Sequence, residues 1–146
     1  MRPSANLGRS LSAGASVVEL GVAARASMVA AVRAMAAHLA GQADFDVDTI
    51  ADLRLAVDEA CNSLIELAAP DATLSCTFTV PEVGADRMHV EVATATRPSA
   101  AGVDTGGFGW QLLRALTDEV ELVTDVDRLP GWVAIRFTTH TPWSGG

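Results

Sequence analysis

Residues 52–68, DLRLAVDEACNSLIELA, carry the feature that most constrains how this chain can fold. Because an α-helix turns by about 100° per residue, the apolar side chains of this stretch fall on one side of the predicted helix. These residues are Leu53, Val57, Ala60, Leu64 and Ala68. The polar residues on the other side are Asp52, Glu59, Asn62, Ser63 and Glu66. The apolar face must pack on another layer, and the polar face is either solvated surface or a functional site.

The neighbouring segments predict the element order β α α β β α β β. A strand over 16–24 and a helix over 24–41 come first, with Gly41 at the C-terminal cap of that helix. Asp46 is a predicted N-cap for the long second helix, about 47–68. The later elements, found from alternation and turn residues, are strands near 74–80 and 88–92, a loop at 95–107, a third helix from 108, and strands at 120–126 and 132–140. Strands joined by tight turns are antiparallel, so we predict a two-layer α/β sandwich with helices on one side of a mixed or mainly antiparallel sheet.

Length and composition limit the organisation of the chain. A chain of 146 residues favours one domain, which we place at 16–141 between flexible tails at 1–15 and 142–146. The formal charge of −8 argues against sequence-independent binding to nucleic acid, which depends on neutralising phosphates. No apolar run reaches the roughly 20 residues of a membrane span, and no signal peptide is evident. We therefore expect a cytoplasmic protein that does not contact a membrane.

The two cysteines, Cys61 and Cys76, have no spacing typical of a metal site. In a reducing compartment cysteines of this kind are buried thiols more often than disulfides. We expect both side chains to be buried and reduced.

A glycine cluster stands before and within the start of the third predicted helix. It comprises Gly106, Gly107 and Gly109 in DTGGFGWQLLRAL. Glycines allow a ligand to approach the backbone closely, and a helix N-terminus presents unpaired N–H groups to an anion. The pattern is typical of a phosphate or carboxylate cradle, and it also fits a flexible loop that enters a helix.

Three segments in matching order resemble the RsbW/SpoIIAB-type anti-sigma factors, members of the histidine-kinase-like (GHKL) ATPase superfamily. They are the strand and helix VELGVAARASMVAAVRAMAA, the helix DLRLAVDEACNSLIELA, and the glycine box with its helix, GGFGWQLLRALTDEVEL. The resemblance covers about residues 17–139. It implies the Bergerat ATPase fold, with helices over an antiparallel sheet and ATP between the helices and a lid loop.

The same resemblance implies a function. Such proteins sequester an alternative sigma factor, are released by an anti-anti-sigma partner of the STAS type, and are usually homodimers. In many members the anti-sigma factor also phosphorylates a serine of that partner, so an ATP-dependent serine kinase is the alternative. Arg33 matches a first-helix arginine that the family uses for partner contacts.

The resemblance matches some of the remaining site residues to the family pattern, and others depart from it. Glu59 matches the general base, and Gly106, Gly107 and Gly109 match the phosphate-binding glycines. The family asparagine that helps to hold Mg²⁺ corresponds to Ser63, while Asn62 lies one residue earlier, so either residue is a candidate metal ligand.

The adenine-binding aspartate corresponds to Thr94, and no carboxylate follows that strand. We therefore expect ATP and Mg²⁺ binding to be weak or absent. The polar helix face is then either a solvated remnant or the site of a working kinase.

The first prediction concerns nucleotide binding. Without the aspartate that accepts from the adenine amino group, the protein should bind nucleotide weakly and with little preference for ATP over GTP. Titrations with Mg·ATP and Mg·GTP, followed by Trp110 emission and calorimetry, measure both affinities, with Trp132 and Trp143 adding background. Tight, ATP-selective binding, together with phosphorylation of a partner that is lost in Glu59→Ala, would contradict this expectation.

Overall fold

The computed structural model describes residues 15–81, 86–125, 127 and 131–142. The predicted tails lie outside these residues apart from Ala15, which begins the first strand, and Pro142. No helix in the described part of the chain is both long enough and apolar enough to cross a membrane.

The structure has one five-stranded sheet, and the described strands pair antiparallel throughout. The strands are β1 (Ala15–Ala23), β2 (Thr73–Pro81), β3 (Arg87–Ala95), β4 (Glu119–Asp125) and β5 (Trp132–His140). Their order across the sheet is β1-β2-β3-β5-β4. Alternate residues of β2 and β3, among them Phe78 and Val90, are buried in the core, as their alternating sequence predicted.

Three helices complete the two layers: α1 (Val29–Gln42), α2 (Val47–Ile65) and α3 (Phe108–Leu116). A single 3-10 turn, Ala26–Met28, leads into α1. The helix α2 contacts both other helices and the central strands β3 and β5. Its buried residues include Leu53, Val57, Ala60 and Leu64, which confirms the predicted apolar face. The element order and the α/β sandwich are those that the sequence predicted.

The end of α1 differs from the prediction. Gly41 lies inside the helix and does not cap it. The left-handed position falls instead on Asp44, with φ of 64°. The Asp44 N–H donates to the Gly41 carbonyl, and the Phe45 N–H donates to the Ala40 carbonyl. These two hydrogen bonds form a Schellman motif, and the buried ring of Phe45 supplies the hydrophobic contact that accompanies it.

The helix α2 ends earlier than the predicted residue 68. Beyond Ile65 the chain leaves the helix to pair with the end of β3, where the Ala69 N–H donates to the Ala95 carbonyl at 2.9 Å. The Arg97 N–H donates to the Leu67 carbonyl at 2.9 Å, and the Arg97 guanidinium donates to the Glu66 carbonyl at 2.6 Å. These bonds satisfy carbonyls that a helix end leaves without partners, so α2 can stop before Pro70.

Cys61 on α2 and Cys76 on β2 are both buried, and both are free thiols. Burial of the two side chains confirms that part of the prediction. A hydrogen bond with Cys76 and burial raise the pKa of the Cys61 thiol, so it is held in its neutral form. The pair lies in the interface between α2 and the sheet and acts there as packing.

The N-terminus of α2 is tied to the residue that follows β5. Asp46 is the N-cap, as predicted, because its carboxylate accepts from the Thr49 N–H at 3.2 Å. The Thr141 hydroxyl donates to the same carboxylate oxygen at 2.9 Å and accepts from the Asp46 N–H at 3.0 Å. Hydrogen bonds from Thr49 and Thr141 lower the pKa of Asp46. This arrangement fixes α2 against the far end of the sheet.

The second prediction tests this contact. Thr141→Val keeps the side-chain volume but removes both hydroxyl bonds, and we expect it to destabilise the protein by about 1 kcal/mol. The expected drop in the unfolding midpoint is about 3 °C. Because the pKa of Asp46 is lower in the folded than in the unfolded protein, its contribution is present above the unfolded pKa. That contribution is lost as the pH falls through the folded pKa.

The difference in unfolding midpoint between wild type and Thr141→Val should therefore become smaller as the pH is lowered. Thermal unfolding at several pH values measures this difference. Thr124→Val, at an exposed position of β4, is the control and should show no such pH dependence. A constant difference at every pH would show that Thr141 acts without the Asp46 carboxylate.

Candidate functional site

A cavity of about 280 Å³ lies between α2, the N-terminus of α3 and the loop that precedes α3. Four of the predicted site residues line it: Glu59 and Ser63 from α2, with Gly107 and Gly109 from the glycine cluster. The fold thus brings together two segments that are more than forty positions apart in the sequence. The polar face of α2 is therefore one wall of a concave site.

The carboxylate of Glu59 is held in this cavity from two sides. The Ser63 hydroxyl, one helical turn away, donates to Glu59 Oε2 at 3.0 Å. On the other side the Cα of Gly109 packs directly against the carboxylate. A Cβ at position 109 would come within 3.0 Å of Glu59 Cδ and still closer to Oε2. Any side chain at position 109 would therefore push the carboxylate out of its place.

The glycine cluster folds around Asp104. The Gly106 N–H donates to Asp104 Oδ1 at 3.0 Å, and the Gly107 N–H donates to the Asp104 carbonyl at 3.2 Å. Gly107 is the N-cap of α3, and a Cβ there would lie 2.8 Å from Asp104 Oδ2. Gly106 adjoins the cavity without being one of its lining residues. One N–H of the predicted anion cradle, that of Gly106, thus donates to a carboxylate of this chain.

The charge of the cavity is negative. The carboxylates of Glu59, Glu66 and Asp104 line it, and none of its described lining residues is an Arg, Lys or His. Among the described residues no group of three or more His, Cys, Asp or Glu side chains is arranged to hold a metal ion. A cation that entered this cavity would therefore need ligands from a bound molecule as well as from the protein.

Three predicted site residues lie elsewhere. Asn62 is exposed on α2 and does not line the cavity. Thr94 is only 2% exposed, and its hydroxyl donates to the Thr73 carbonyl of β2 at 3.1 Å. Arg33 on α1 forms an ion pair with Asp58 at 2.6 Å, with side-chain exposures of 33% and 30%.

A second cavity, of about 330 Å³, adjoins the first and shares Leu67 and Gly102 with it. Its walls include Pro98, Trp132 and the carboxylate-bearing Asp125 at the end of β4. No carboxylate follows β3 directly in the sequence. In the structure, Asp125 at the end of β4 places a carboxylate in the wall of this cavity. No local sequence pattern could have indicated this.

The sequence analysis also missed Asp104 and Phe108 as site residues. Phe108 stands at the rim of the first cavity with 79% of its surface exposed. A signal for Asp104 was present, because an Asp two residues before a glycine frequently accepts from that backbone N–H. The sequence offered no comparable signal for Phe108.

The third prediction tests the contact between Glu59 and Gly109. Alanine is intrinsically favoured over glycine inside a helix by roughly 0.5–1 kcal/mol. At position 109 this gain should be cancelled, because the methyl group displaces the Glu59 carboxylate and breaks its bond to Ser63. In a Glu59→Ala background the gain should reappear, which gives a coupling of about 1 kcal/mol in a double-mutant cycle by denaturant unfolding.

Gly41→Ala is the matched control, since nothing lies within 4 Å of a Cβ at that helical position. It should give the same gain with and without Glu59. Equal effects of Gly109→Ala in both backgrounds would show that the two residues do not interact.

Comparison with known proteins places this architecture in a family. Residues 22–133 match the family model of the histidine kinase-like ATPase domain. The chain is 42% identical over 112 residues to the anti-sigma-F factor RsbW of Mycobacterium tuberculosis, an alignment that covers 77% of this chain and 64% of that protein. It is 29% identical over 126 residues to the serine-protein kinase RsbW of Halalkalibacterium halodurans, covering 74% and 76% of the two chains.

The chain thus spans less than two thirds of the length of the Mycobacterium tuberculosis relative. The family match itself extends from the end of β1 into β5 and includes both walls of the first cavity. The chain belongs to the histidine kinase-like ATPase domain family.

Proposed function

We propose that this protein is an anti-sigma factor of the cytoplasm, which binds an alternative sigma factor and is released from it by an anti-anti-sigma partner of the STAS type. The observation that carries the proposal is the 42% identity to a protein named anti-sigma-F factor RsbW. A homodimer is part of the proposal, on the strength of the family resemblance. The charge of −8 suits a partner that presents a basic face.

Arg33 is the residue that we assign to partner binding. Its ion pair with Asp58 joins α1 to α2 at the surface, and about a third of each side chain remains exposed. Because the pair reaches the surface, a carboxylate of a partner can replace Asp58 as the acceptor of the guanidinium.

The first cavity fits the phosphates of a magnesium nucleotide better than those of a free one. The carboxylates of Asp104 and Glu59 lie against Gly107 and Gly109, so a phosphate reaches this backbone only when those side chains move, and the start of α3 then offers N–H donors. The three lining carboxylates would repel uncompensated phosphates, so a divalent cation is needed between them. Of the two residues that the sequence offered, Ser63 is the candidate protein ligand for it, because Asn62 does not line the cavity. The base of the nucleotide would lie in the adjoining cavity, near Trp132.

A serine kinase is the second candidate function, and one observation favours it. Glu59 lines the same cavity as Gly107 and Gly109, where a general base can accept the proton of an attacking hydroxyl. Bound ATP would supply the phosphoryl group. Incubation with an anti-anti-sigma protein and Mg·ATP, followed by mass spectrometry, would then detect a phosphoserine that is absent with Glu59→Gln. Without such a product the anti-sigma proposal stands and the kinase alternative falls.

The fourth prediction separates partner binding from folding at Arg33. Arg33→Ala should weaken binding to the sigma factor or to its competitor by about 1–3 kcal/mol, as expected for an interface anchor. Asp58→Asn breaks the same ion pair but leaves the guanidinium free, and it should preserve both affinities. Calorimetry with purified partners measures each affinity, and thermal unfolding checks that both variants fold.

If Arg33→Ala and Asp58→Asn weaken partner binding equally, the ion pair affects binding only by maintaining the shape of the surface. Unchanged affinities in Arg33→Ala would remove Arg33 from the interface. Failure of the wild-type protein to bind any alternative sigma factor would reject the proposed function itself.

A further inference from the structure

We propose that Asp104 competes with the phosphates of a bound nucleotide for the glycine cluster, and that this competition limits the nucleotide affinity of the protein. The inference rests on the proposed nucleotide site and identifies the residue of this chain that controls its occupancy.

The carboxylate of Asp104 occupies the place that a phosphate oxygen would take. Its Oδ1 accepts from the Gly106 N–H at 3.0 Å, and its Oδ2 lies against Gly107, where a Cβ would come within 2.8 Å. The Gly107 N–H is also engaged, because it donates to the Asp104 carbonyl at 3.2 Å. A phosphate that reaches the Gly106 N–H must therefore move the Asp104 side chain first, whereas the Gly107 N–H stays bonded to the main chain.

The charge of Asp104 adds to this obstruction. Asp104 lines the cavity together with Glu59 and Glu66, and no basic side chain stands among the described lining residues. An incoming phosphate therefore meets three carboxylates, of which Asp104 alone is bonded to the glycine cluster. A divalent cation on the nucleotide would offset part of this repulsion, so the obstruction should be greatest for nucleotide without a metal.

Side-chain contacts make Asp104 easier to displace than Glu59. Glu59 is held by the Ser63 hydroxyl at 3.0 Å and by contact with Gly109. Asp104 lies in the loop before α3, and its side chain bonds to an N–H only two residues away in the chain. Rotation of this side chain frees the Gly106 N–H without disturbing either helix.

The test compares two variants of the full chain with a control. Asp104→Asn keeps an oxygen that can accept from Gly106 but removes the charge, whereas Asp104→Ala removes both. Asp44→Asn makes the same change in net charge in the turn after α1, at a positive φ that asparagine tolerates. Calorimetry with ATP and ADP, each with and without Mg²⁺, gives the affinities, and thermal unfolding checks the fold.

We expect Asp104→Ala to bind Mg·ATP about tenfold more tightly than wild type, which corresponds to about 1.4 kcal/mol. Asp104→Asn should show a smaller gain, and Asp44→Asn should match wild type. The gain from either Asp104 variant should be larger without Mg²⁺ than with it. If Asp104→Ala fails to fold, the sign of the change in Asp104→Asn still decides the question.

Three outcomes would overturn the inference. Weaker binding of Mg·ATP by Asp104→Asn would make Asp104 a ligand of the nucleotide's metal ion. Affinities equal to that of wild type would show that the carboxylate is no obstacle, and absence of nucleotide binding in every variant would leave nothing for Asp104 to control. Sigma-factor binding, measured on the same proteins, should not change, so its absence in wild type would reject the anti-sigma function without deciding the role of Asp104.

Discussion

The packing of the apolar face of α2 is the interaction on which the rest of the structure depends. This face lies on the central strands β3 and β5, while the flanks of the helix meet α1 and α3. Leu53, Val57 and Leu64 are fully buried there, and burial of each such side chain stabilises the fold by about 1.5–3 kcal/mol. Because this face is fixed against the sheet, the opposite face has one allowed direction. The polar side chains of α2 must then point away from the sheet, toward the solvent or toward α3.

The position of α3 turns this polar face into a site. Gly109 lets the start of α3 lie against the Glu59 carboxylate, and the loop before α3 closes the same cavity with Asp104. The N-terminus of α3 thus lies directly beside the Glu59 carboxylate of α2. In such a place a phosphate finds N–H donors on one side and negative charge on the other. Binding is then controlled by how the negative charges are compensated and not by the glycines alone.

The partner-binding and nucleotide-binding sites that we propose lie in different parts of the molecule. Arg33 and Asp58 join α1 and α2 at the surface, and neither residue lines the first cavity. The second cavity lies beyond the shared wall at Leu67. It contains Trp132 and Asp125, which are suited to contact the base of a nucleotide. An anti-sigma factor can therefore keep its binding surface while the nucleotide site changes, because the fold supports the two surfaces through separate contacts. This separation is consistent with the loss of the aspartate at Thr94 in a chain whose helices and strands otherwise keep the family order.

The sequence by itself determined the order of elements, a mainly antiparallel sheet and the buried face of α2, because those depend on local periodicity and turn residues. It also placed Glu59 and Ser63 on the polar face of a helix and Gly107 and Gly109 at a helix start, whereas their proposed roles come from the family resemblance. Its errors fell at helix ends. Gly41 was expected to cap α1, but the chain continues until Asp44 adopts the left-handed conformation and Phe45 reaches the core.

Only the tertiary structure decided what the glycine cluster contacts and where the isolated site residues lie. The closeness of Glu59 to Gly109, the placement of Asp125 beside the second cavity and the pairing of Arg33 with Asp58 all join residues far apart in the chain. Thr94 became a buried hydrogen-bond donor to β2 because β3 lies beside β2 in the sheet, which brings its hydroxyl to the Thr73 carbonyl. Local pattern sets which face of a helix or strand is polar. The packing of one element on another sets which polar groups meet, and that requires the whole fold.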